Sequence, residues 1–299
     1  MKKVVVTGAN GLLGQTLINL LLKDDQAYNV YGLSRGANRT TREDFSYANI
    51  DITKHDLLRK TIVEINPDFI VNTAAMTNVD ACEDQKEACT ILNVDVVENL
   101  AEIAVDLGAH LVHISTDFIF DGEKGYYKET DVPNPLSHYG WSKLKSEQVL
   151  ERSGASYSIL RTILVYGLVK NMTRNNIVLW VKGMLEAGNE ITIVDDQYRM
   201  PTYVEDLAMA CKIAMDKKAQ GIFNISSNTL LSIYEMVLQI ASTFNLNKDL
   251  VKPISTATLN QTAKRPPKTG FDLSRTNDKL GFYPKGFEED LQRFKETLT

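Results

Sequence analysis

Residues 4–14 read Val4-Val5-Val6-Thr7-Gly8-Ala9-Asn10-Gly11-Leu12-Leu13-Gly14. A β-branched apolar run, three glycines at three-residue spacing and the amphipathic stretch Leu12–Leu22 predict a strand, a turn and a helix in that order. Gly8 suits the tight turn, Gly11 lets the backbone come close to a pyrophosphate, and Gly14 lets the helix lie against its strand. The helix N-terminus adds unpaired N–H groups that favour an anion. A glycine turn by itself is often only a turn, so its surroundings decide the matter.

Further apolar runs at Val30–Leu33, Phe69–Asn72, Leu111–Ser115 and Tyr157–Leu160 alternate with helix-period stretches at Leu57–Ile65, Ile91–Leu107 and Tyr139–Leu150. This alternation predicts an α/β fold, a Rossmann-type doubly wound parallel sheet with helices on both faces. Ligands on such a sheet lie at the carboxyl ends of the strands, near the switch in strand order. After Arg161 the rhythm changes. An insertion at Leu168–Asn176 leads to a helix over Asn176–Ala187, a strand at Ile191–Val194, a helix at Val204–Met215 and a strand at Ile222–Ile225. The expected division is a dinucleotide-binding domain over residues 1–161, with 203–226 returning to it, and a smaller discontinuous α/β substrate lobe from 162–202 and 227–299. A substrate is expected between the two.

With 299 residues, 43% of them hydrophobic, the chain can bury a sizeable core. Its net charge of −5 and lack of a basic block argue against nucleic acid or an anionic membrane surface as partner. No run reaches the roughly 18–20 apolar residues of a membrane span, so a soluble, cytoplasmic protein acting on a small molecule is expected. Cys82, Cys89 and Cys211 form no CxxC pair and read as core thiols. His55, His110, His113 and His138 lack metal-ligand spacing, so they are expected in structural roles and no metal is expected.

Tyr139-Gly140-Trp141-Ser142-Lys143 sets a phenol and an ammonium four residues apart, on one face of a helix starting near Ser137 after Pro135. A cation beside a phenol lowers its pKa toward the range useful for proton transfer, and Lys143 is expected to supply it. Such spacing is common on solvated helix faces; what singles it out is Ser115-Thr116-Asp117 at the carboxyl end of an upstream strand. A hydroxyl there, Thr116 in preference to Ser115, could hydrogen-bond a substrate carbonyl while Tyr139 protonates it and a reduced nicotinamide supplies hydride.

The ordered set Gly8-x-x-Gly11-x-x-Gly14, Asn72-Thr73-Ala74-Ala75, Ser115-Thr116-Asp117-Phe118-Ile119-Phe120-Asp121-Gly122, Pro135-Leu136, Tyr139-Gly140-x-Ser142-Lys143 and Asp196-Gln197…Pro201-Thr202 resembles the extended short-chain dehydrogenases/reductases. Within them it most resembles the dTDP-4-dehydrorhamnose reductase branch. The resemblance implies a catalytic triad of Thr116, Tyr139 and Lys143, with Lys143 also bonding the nicotinamide ribose. It further implies cofactor contacts at Gly8, Asn10, Gly11, Leu12, Leu13, Gly14, Ala74 and Ala75, and at Asp51-Ile52 on adenine. A helix-capping role at a turn is the competing account of Asp51.

Ser34-Arg35 ends the second strand where an acidic residue would favour NAD, so Arg35, with Arg39 as a second cation, points to NADP, with NAD as the other choice. The bland alternative is a solvated basic loop. Dehydratases of the superfamily typically place glutamate after Thr-Asp, where this chain has Phe118, and the Ser-rich segment of epimerases ending in Val-Tyr-Gly is missing here. The related reductases typically have tyrosine at Phe118, tryptophan at Leu164 and tyrosine at Met76. Phe118 and Leu164 therefore mark an expected sugar site that has changed. In the second lobe Arg199 is expected to meet a nucleotide-sugar diphosphate, as are Lys264 and Arg265. The expected function is NADPH-dependent reduction of a nucleotide-sugar ketone. The alternatives are a non-catalytic NADP-binding regulatory subunit and, behind it, an epimerase. A homodimer stays open, because a helix face that packs a second subunit reads like a core face.

Overall fold

Val4, Val5 and Val6 are all fully buried, which requires a strand covered on both faces. The computed structural model describes residues 1–23, 27–259 and 261–298. Its main sheet consists of β1 (Lys2–Thr7), β2 (Tyr28–Ser34), β3 (Ser46–Asn49), β4 (Phe69–Asn72), β5 (His110–Thr116), β7 (Ser156–Thr162) and β12 (Gly221–Ile225). These seven strands are parallel and run in the order β3-β2-β1-β4-β5-β7-β12. The strand order reverses between β1 and β4, so the crevice expected for a ligand opens beyond Thr7 and Asn72.

The helices are α1 (Leu12–Leu21), α2 (His55–Ile65), α3 (Val79–Asp84), α4 (Lys86–Thr90), α5 (Val96–Leu107), α6 (His138–Arg152), α7 (Ile177–Glu186), α8 (Val204–Asp216), α9 (Ile233–Thr243) and α10 (Phe287–Glu296). Side chains alternate across the sheet with period two. Val4 and Val6 join Leu17, Ile18 and Leu21 of α1 and Leu207, Cys211 and Ala214 of α8 on one face. Val5, Ile70, Leu111 and Ile159 meet Leu58 and Ile62 of α2 and Val97, Leu100 and Ile103 of α5 on the other.

The second part of the chain packs α7, α9 and α10 with the strand pair β9 (Ile191–Val194) and β14 (Val251–Ile254). Its α9 begins with a reciprocal cap, Ser232 Oγ accepting from Glu235 N–H and the Glu235 carboxylate accepting from Ser232 N–H. A four-stranded sheet of β13 (Leu231–Ser232), β10 (Tyr198–Arg199), β15 (Lys268–Phe271) and β6 (Gly125–Tyr127) lies beside it. Its strand β6 comes from a segment that the sequence places within 1–161. A further short pair joins β8 (Val165–Tyr166) to β11 (Thr202–Tyr203).

Most expected elements occur within one or two residues of their anticipated limits, and β12 lies beside β7 in the main sheet. The expected single helix Ile91–Leu107 differs: Ile91–Asp95 is a wider π-helical turn before α5. A turn of that kind re-aims side chains, and here it points Asn93 inward.

A buried ion pair crosses the layer between α6 and the sheet. Arg161 of β7 donates from Nε to Glu147 Oε1 (3.0 Å) and from Nη2 to Glu147 Oε2 (2.7 Å), and from Nη1 to the Glu129 carbonyl (3.2 Å). Both side chains are 2% exposed. A buried, bidentate pair leaves an uncompensated charge when one partner is lost. Glu147→Ala should therefore cost about 3–5 kcal/mol in urea unfolding, and Glu147→Leu combined with Arg161→Met should cost clearly less. A single-variant loss below about 1 kcal/mol would mean that Arg161 is satisfied without Glu147.

Candidate active site

At the switch point the three N-terminal glycines do different work. Gly8 has φ +71°, and a Cβ there would come within 2.8 Å of Thr73 Oγ1 and 2.9 Å of the Ala74 nitrogen. A Cβ on Gly14 would sit 2.3 Å from the Gly8 carbonyl oxygen. Gly14 thus lets α1 start directly on the β1 turn. Gly11 is exposed and caps α1 with no side-chain hydrogen bond, and no acidic residue stands in the first turn. The first N–H groups of this ten-residue helix are left unanswered by the chain's own side chains, which suits the pyrophosphate of a dinucleotide.

Asn10 has a different task from the expected cofactor contact. Its Nδ2 donates to the carbonyls of Arg35 (3.1 Å) and Ala37 (2.9 Å) and to Tyr47 Oη (2.9 Å), while its Oδ1 accepts from Arg39 N–H (2.9 Å). The side chain is spent on shaping the loop that carries Arg35, which is itself exposed beyond Ser34. Leu12 and Leu13 are half-buried and pack into the cores beside the cradle. Asp51 Oδ1 accepts from Thr53 N–H (3.0 Å) and Thr53 Oγ1 (2.8 Å), which hold its carboxyl below the usual range, and Ile52 is buried. Ala74 and Ala75 are half-buried just beyond β4.

The chemistry-bearing groups meet one strand over. Thr116, at the carboxyl end of β5, donates from Oγ1 to Asp117 Oδ1 (3.1 Å) and accepts from Phe118 N–H (3.2 Å). Ser115 Oγ beside it is buried with no hydrogen-bond partner. Tyr139 and Lys143 lie on the inner face of α6, 8% and 1% exposed. Ser137 caps that helix by accepting from Gly140 N–H (3.2 Å). Gly140 has a steric reason: a Cβ there would fall 2.2 Å from the Phe118 carbonyl oxygen. Only glycine lets the start of α6 bring Tyr139 so near the end of β5.

Burial pushes the Tyr139 phenol well above its ordinary pKa; the Thr116 hydroxyl draws it back down, and the charge of Asp117 adds to the rise. Lys143, the expected cation for the phenol, turns its Nζ to β5. Its Nζ lies 3.0 Å from Nε2 of His113 on β5, and burial lowers its pKa to about 8, with the Glu147 charge opposing.

His113 was expected to be merely structural, yet it touches a site residue. Asn72 Oδ1 accepts from Thr7 Oγ1 (2.6 Å) and Ala74 N–H (3.3 Å), so its Nδ2 faces His113 Nδ1 at 3.1 Å. The imidazole, kept neutral by burial and by the Lys143 charge, then carries its proton on Nε2. That N–H faces Ser146 Oγ (3.0 Å) and Lys143 Nζ. A donor facing an ammonium favours the neutral amine, in the same direction as burial.

Asn93 had no motif to mark it. Its amide holds the Met76 backbone at both N (2.8 Å) and O (3.1 Å) and donates to Ser142 Oγ (3.0 Å). Phe118 stands edge-on to Tyr139, centroids 5.8 Å apart, so it packs the phenol as well as lacking a hydroxyl. Leu164 is half-exposed with φ +42°, a conformation that a branched side chain adopts at a cost of about 1–3 kcal/mol and that collects at functional sites.

Arg199 corrects the expectation of a diphosphate contact. It is 4% exposed and donates from Nη1 to the Tyr198 carbonyl (2.7 Å) and from Nη2 to the Pro266 carbonyl (2.7 Å), while its Nε faces Asp117 Oδ2 at 3.7 Å. Its charge is spent on Asp117, the buried carboxylate next to Thr116. Arg265 pairs with Asp80 of α3 (2.6 Å), leaving Lys264 exposed. Among the described residues no helix is long and apolar enough to cross a membrane, and no group of three or more His, Cys, Asp or Glu could hold a metal ion.

Residues 1–299 match the family described as the RmlD substrate binding domain. A dTDP-4-dehydrorhamnose reductase of Aggregatibacter actinomycetemcomitans is 33% identical, over 99% of this chain and 99% of its own. The methionine adenosyltransferase 2 subunit beta of Bos taurus is 31% identical, over 92% of this chain and 81% of its own. The crystal structure of dTDP-4-dehydrorhamnose reductase from Bacillus anthracis str. Ames in complex with NADP has a TM-score of 0.88 at 30% identity, covering 99% of both chains.

The buried ammonium yields a stability prediction. With Lys143 lowered from 10.5 to about 8, the folded chain binds fewer protons than the unfolded one between those values, so this group's penalty is full below pH 8 and disappears above 10.5. Lys143→Met should stabilise the protein at pH 7 by on the order of 2 kcal/mol, with the difference from the parent shrinking as pH rises. An unchanged or lower denaturation midpoint at pH 7 would show that the ammonium is well compensated.

Proposed function

The chain belongs to the RmlD substrate-binding domain family of the extended short-chain dehydrogenases/reductases, and on that premise we propose that it reduces the keto group of a nucleotide sugar with NADPH. It is an oxidoreductase of Rossmann fold. The observation that carries the substrate reading is the convergence of Thr116, Tyr139 and Lys143 at the carboxyl end of β5, beside a glycine cradle whose helix N-terminus awaits an anion. The related reductase of Bacillus anthracis is a complex with NADP. In this reading the sugar lies between residues 1–161 with 203–226 and residues 162–202 with 227–299.

Gly8, Gly11 and Gly14 would hold the pyrophosphate, Arg35 the 2′-phosphate, and Ala74 and Ala75 the wall behind the dinucleotide. NADPH supplies the hydride when bound. The chain's own residues supply the rest. On substrate binding Thr116 Oγ1 would turn its one proton from Asp117 Oδ1 to the substrate's carbonyl oxygen, polarising it toward hydride attack. Tyr139, kept protonated by burial, gives its phenolic proton to that oxygen as negative charge develops. Lys143, still an ammonium at neutral pH, sits one helical turn from the phenol and steadies the phenolate left behind. Phe118 and Met76 make the wall beside Tyr139 apolar, so the sugar is expected to differ from the rhamnose precursor.

A second reading, a non-catalytic NADP-binding subunit, is favoured by one observation. A protein named as the beta subunit of methionine adenosyltransferase 2 resembles this chain about as well as the reductase does. The full set of Thr116, Tyr139 and Lys143 weighs against it.

Tyr139→Phe should lower NADPH consumption with 4-keto-6-deoxy nucleotide sugars by at least about a hundredfold while NADPH binding persists. Parent-like turnover by the variant would remove Tyr139 as proton donor. If the parent consumes no NADPH across dTDP, GDP and UDP keto sugars but co-purifies with a partner enzyme, the subunit reading wins. Arg35→Ala should weaken NADPH relative to NADH by about ten- to a hundredfold, the worth of one charge-assisted contact. Equal loss for both cofactors would locate the 2′-phosphate elsewhere.

A further inference from the structure

Cys82 of α3 and Cys89 of α4 stand on either side of Gln85, and both are fully buried. Their sulfurs are 2.9 Å apart in a thiol–thiol hydrogen bond, against a disulfide bond length of about 2.0 Å. Reduction of a ketone gives them no task. The pair is nevertheless close to the site: the two cysteines form one cluster with Tyr139, covered by half-buried Met76, Val79 and Phe118.

The two thiols are unequal. The Cys82 thiol, bonded to Cys89, pulls the Cys89 pKa down; the Ser142 hydroxyl and the charge on Lys143 assist against burial. The same bond pushes Cys82 up. Cys89 is thus the thiol that ionises more readily, and Cys82 stands within reach of its sulfur, the arrangement of an attacking and a resolving cysteine. Cys211 lies in the α1–α8 core, without a thiol neighbour.

We propose that Cys82 and Cys89 are a redox-modification site that closes to a reversible disulfide, with a small hydroperoxide such as hydrogen peroxide as oxidant. The Cys89 thiolate attacks one peroxide oxygen; the O–O bond breaks, the departing hydroxide takes up a proton to become water, and Cys89 becomes a sulfenic acid. The Cys82 sulfur then attacks the Cys89 sulfur; the S–O bond breaks, and the hydroxide leaves as a second water with the Cys82 proton. Two thiols and one hydrogen peroxide give one disulfide and two waters, with two electrons passing from sulfur to the peroxide. A thiol or thioredoxin-type reductant reverses the change by exchange.

Closure acts on the site through the Met76 segment. Cys82 Sγ donates to the Met76 carbonyl (3.5 Å), and Asn93, which clamps the same Met76 backbone, donates to Cys89 Sγ (3.3 Å). A disulfide removes the Cys82 hydrogen and draws Cys89 toward Cys82, so both supports of the Met76 segment change together. This functional half rests on the reductase reading.

The test treats the full chain with stoichiometric hydrogen peroxide, counts free thiols under denaturing conditions and maps the peptides. Free thiols should fall from three to one, Cys211 alone remaining, with a Cys82–Cys89 cross-linked peptide that dithiothreitol releases. Three surviving thiols, or sulfinic acid without a cross-link, would overturn the site. NADPH consumption by the treated chain should drop and return with dithiothreitol, whereas Cys82→Ala should keep its own untreated rate. A cross-linked chain that turns over at the untreated rate would overturn the effect on the active site. A chain that consumes no NADPH before treatment counts against the reductase reading alone, since thiol counting still decides the cross-link.

Discussion

Arg161 and Glu147 face each other almost out of reach of water, and the pair fixes which face of α6 turns to the sheet. Glu147 stands four residues after Lys143, and Lys143 four after Tyr139, so all three share one face of α6. Turning Glu147 toward a guanidinium on β7 turns the other two toward the end of β5. The carboxylate also acts through space, because its charge is what opposes the desolvation of Lys143. A hydrophobic contact could have fixed the helix as firmly, but it would have supplied no field to keep an ammonium half-tolerated in the interior.

Two glycines complete that placement in the same way. Gly14 lets α1 rest on the carbonyl of Gly8, and Gly140 lets α6 rest on the carbonyl of Phe118. In both cases a helix start is brought against strand-end backbone more closely than any Cβ allows. The first approach leaves helix N–H groups facing a place for phosphate; the second sets a phenol against a threonine hydroxyl. Both approaches are set by main chain, which is stiffer than side-chain packing alone.

These causes explain what could be read from the sequence. The buried parallel strands announced themselves, since Val4–Val6 and Phe69–Asn72 are apolar on both faces. The small sheet did not: β6, β10, β13 and β15 are two to four residues long and pair only with segments remote in the chain. The inner face of α6 carries Tyr139, Ser142, Lys143, Ser146 and Glu147, all buried, so by polarity it looks like a solvated face. The Tyr139–Lys143 spacing was legible from chemistry alone. Asn93 was not, because its inward direction arises from the π-helical turn. Arg199 misled for a related reason. An arginine in an acidic chain suggests an anionic ligand, but the anion here is Asp117 of the same chain.

Asp117 also shows how the two parts of the molecule are coupled through one buried charge. Burial raises its pKa, and Arg199 from the small sheet is the first of the groups that lower it. Thr269 of β15 donates a short hydrogen bond to Asp117 Oδ2, while Thr116 donates to Oδ1. The hydroxyl that would polarise a carbonyl is thus oriented by a carboxylate whose other oxygen and whose counter-charge belong to the second part of the chain. Any shift of the small sheet is felt first at Asp117 and next at Thr116. Phe118 is tied to the same charge, because the Arg199 guanidinium also stands over its ring, 5.8 Å from the centroid. An exchange at Phe118 therefore reaches Arg199, and through it the carboxylate that seats Thr116.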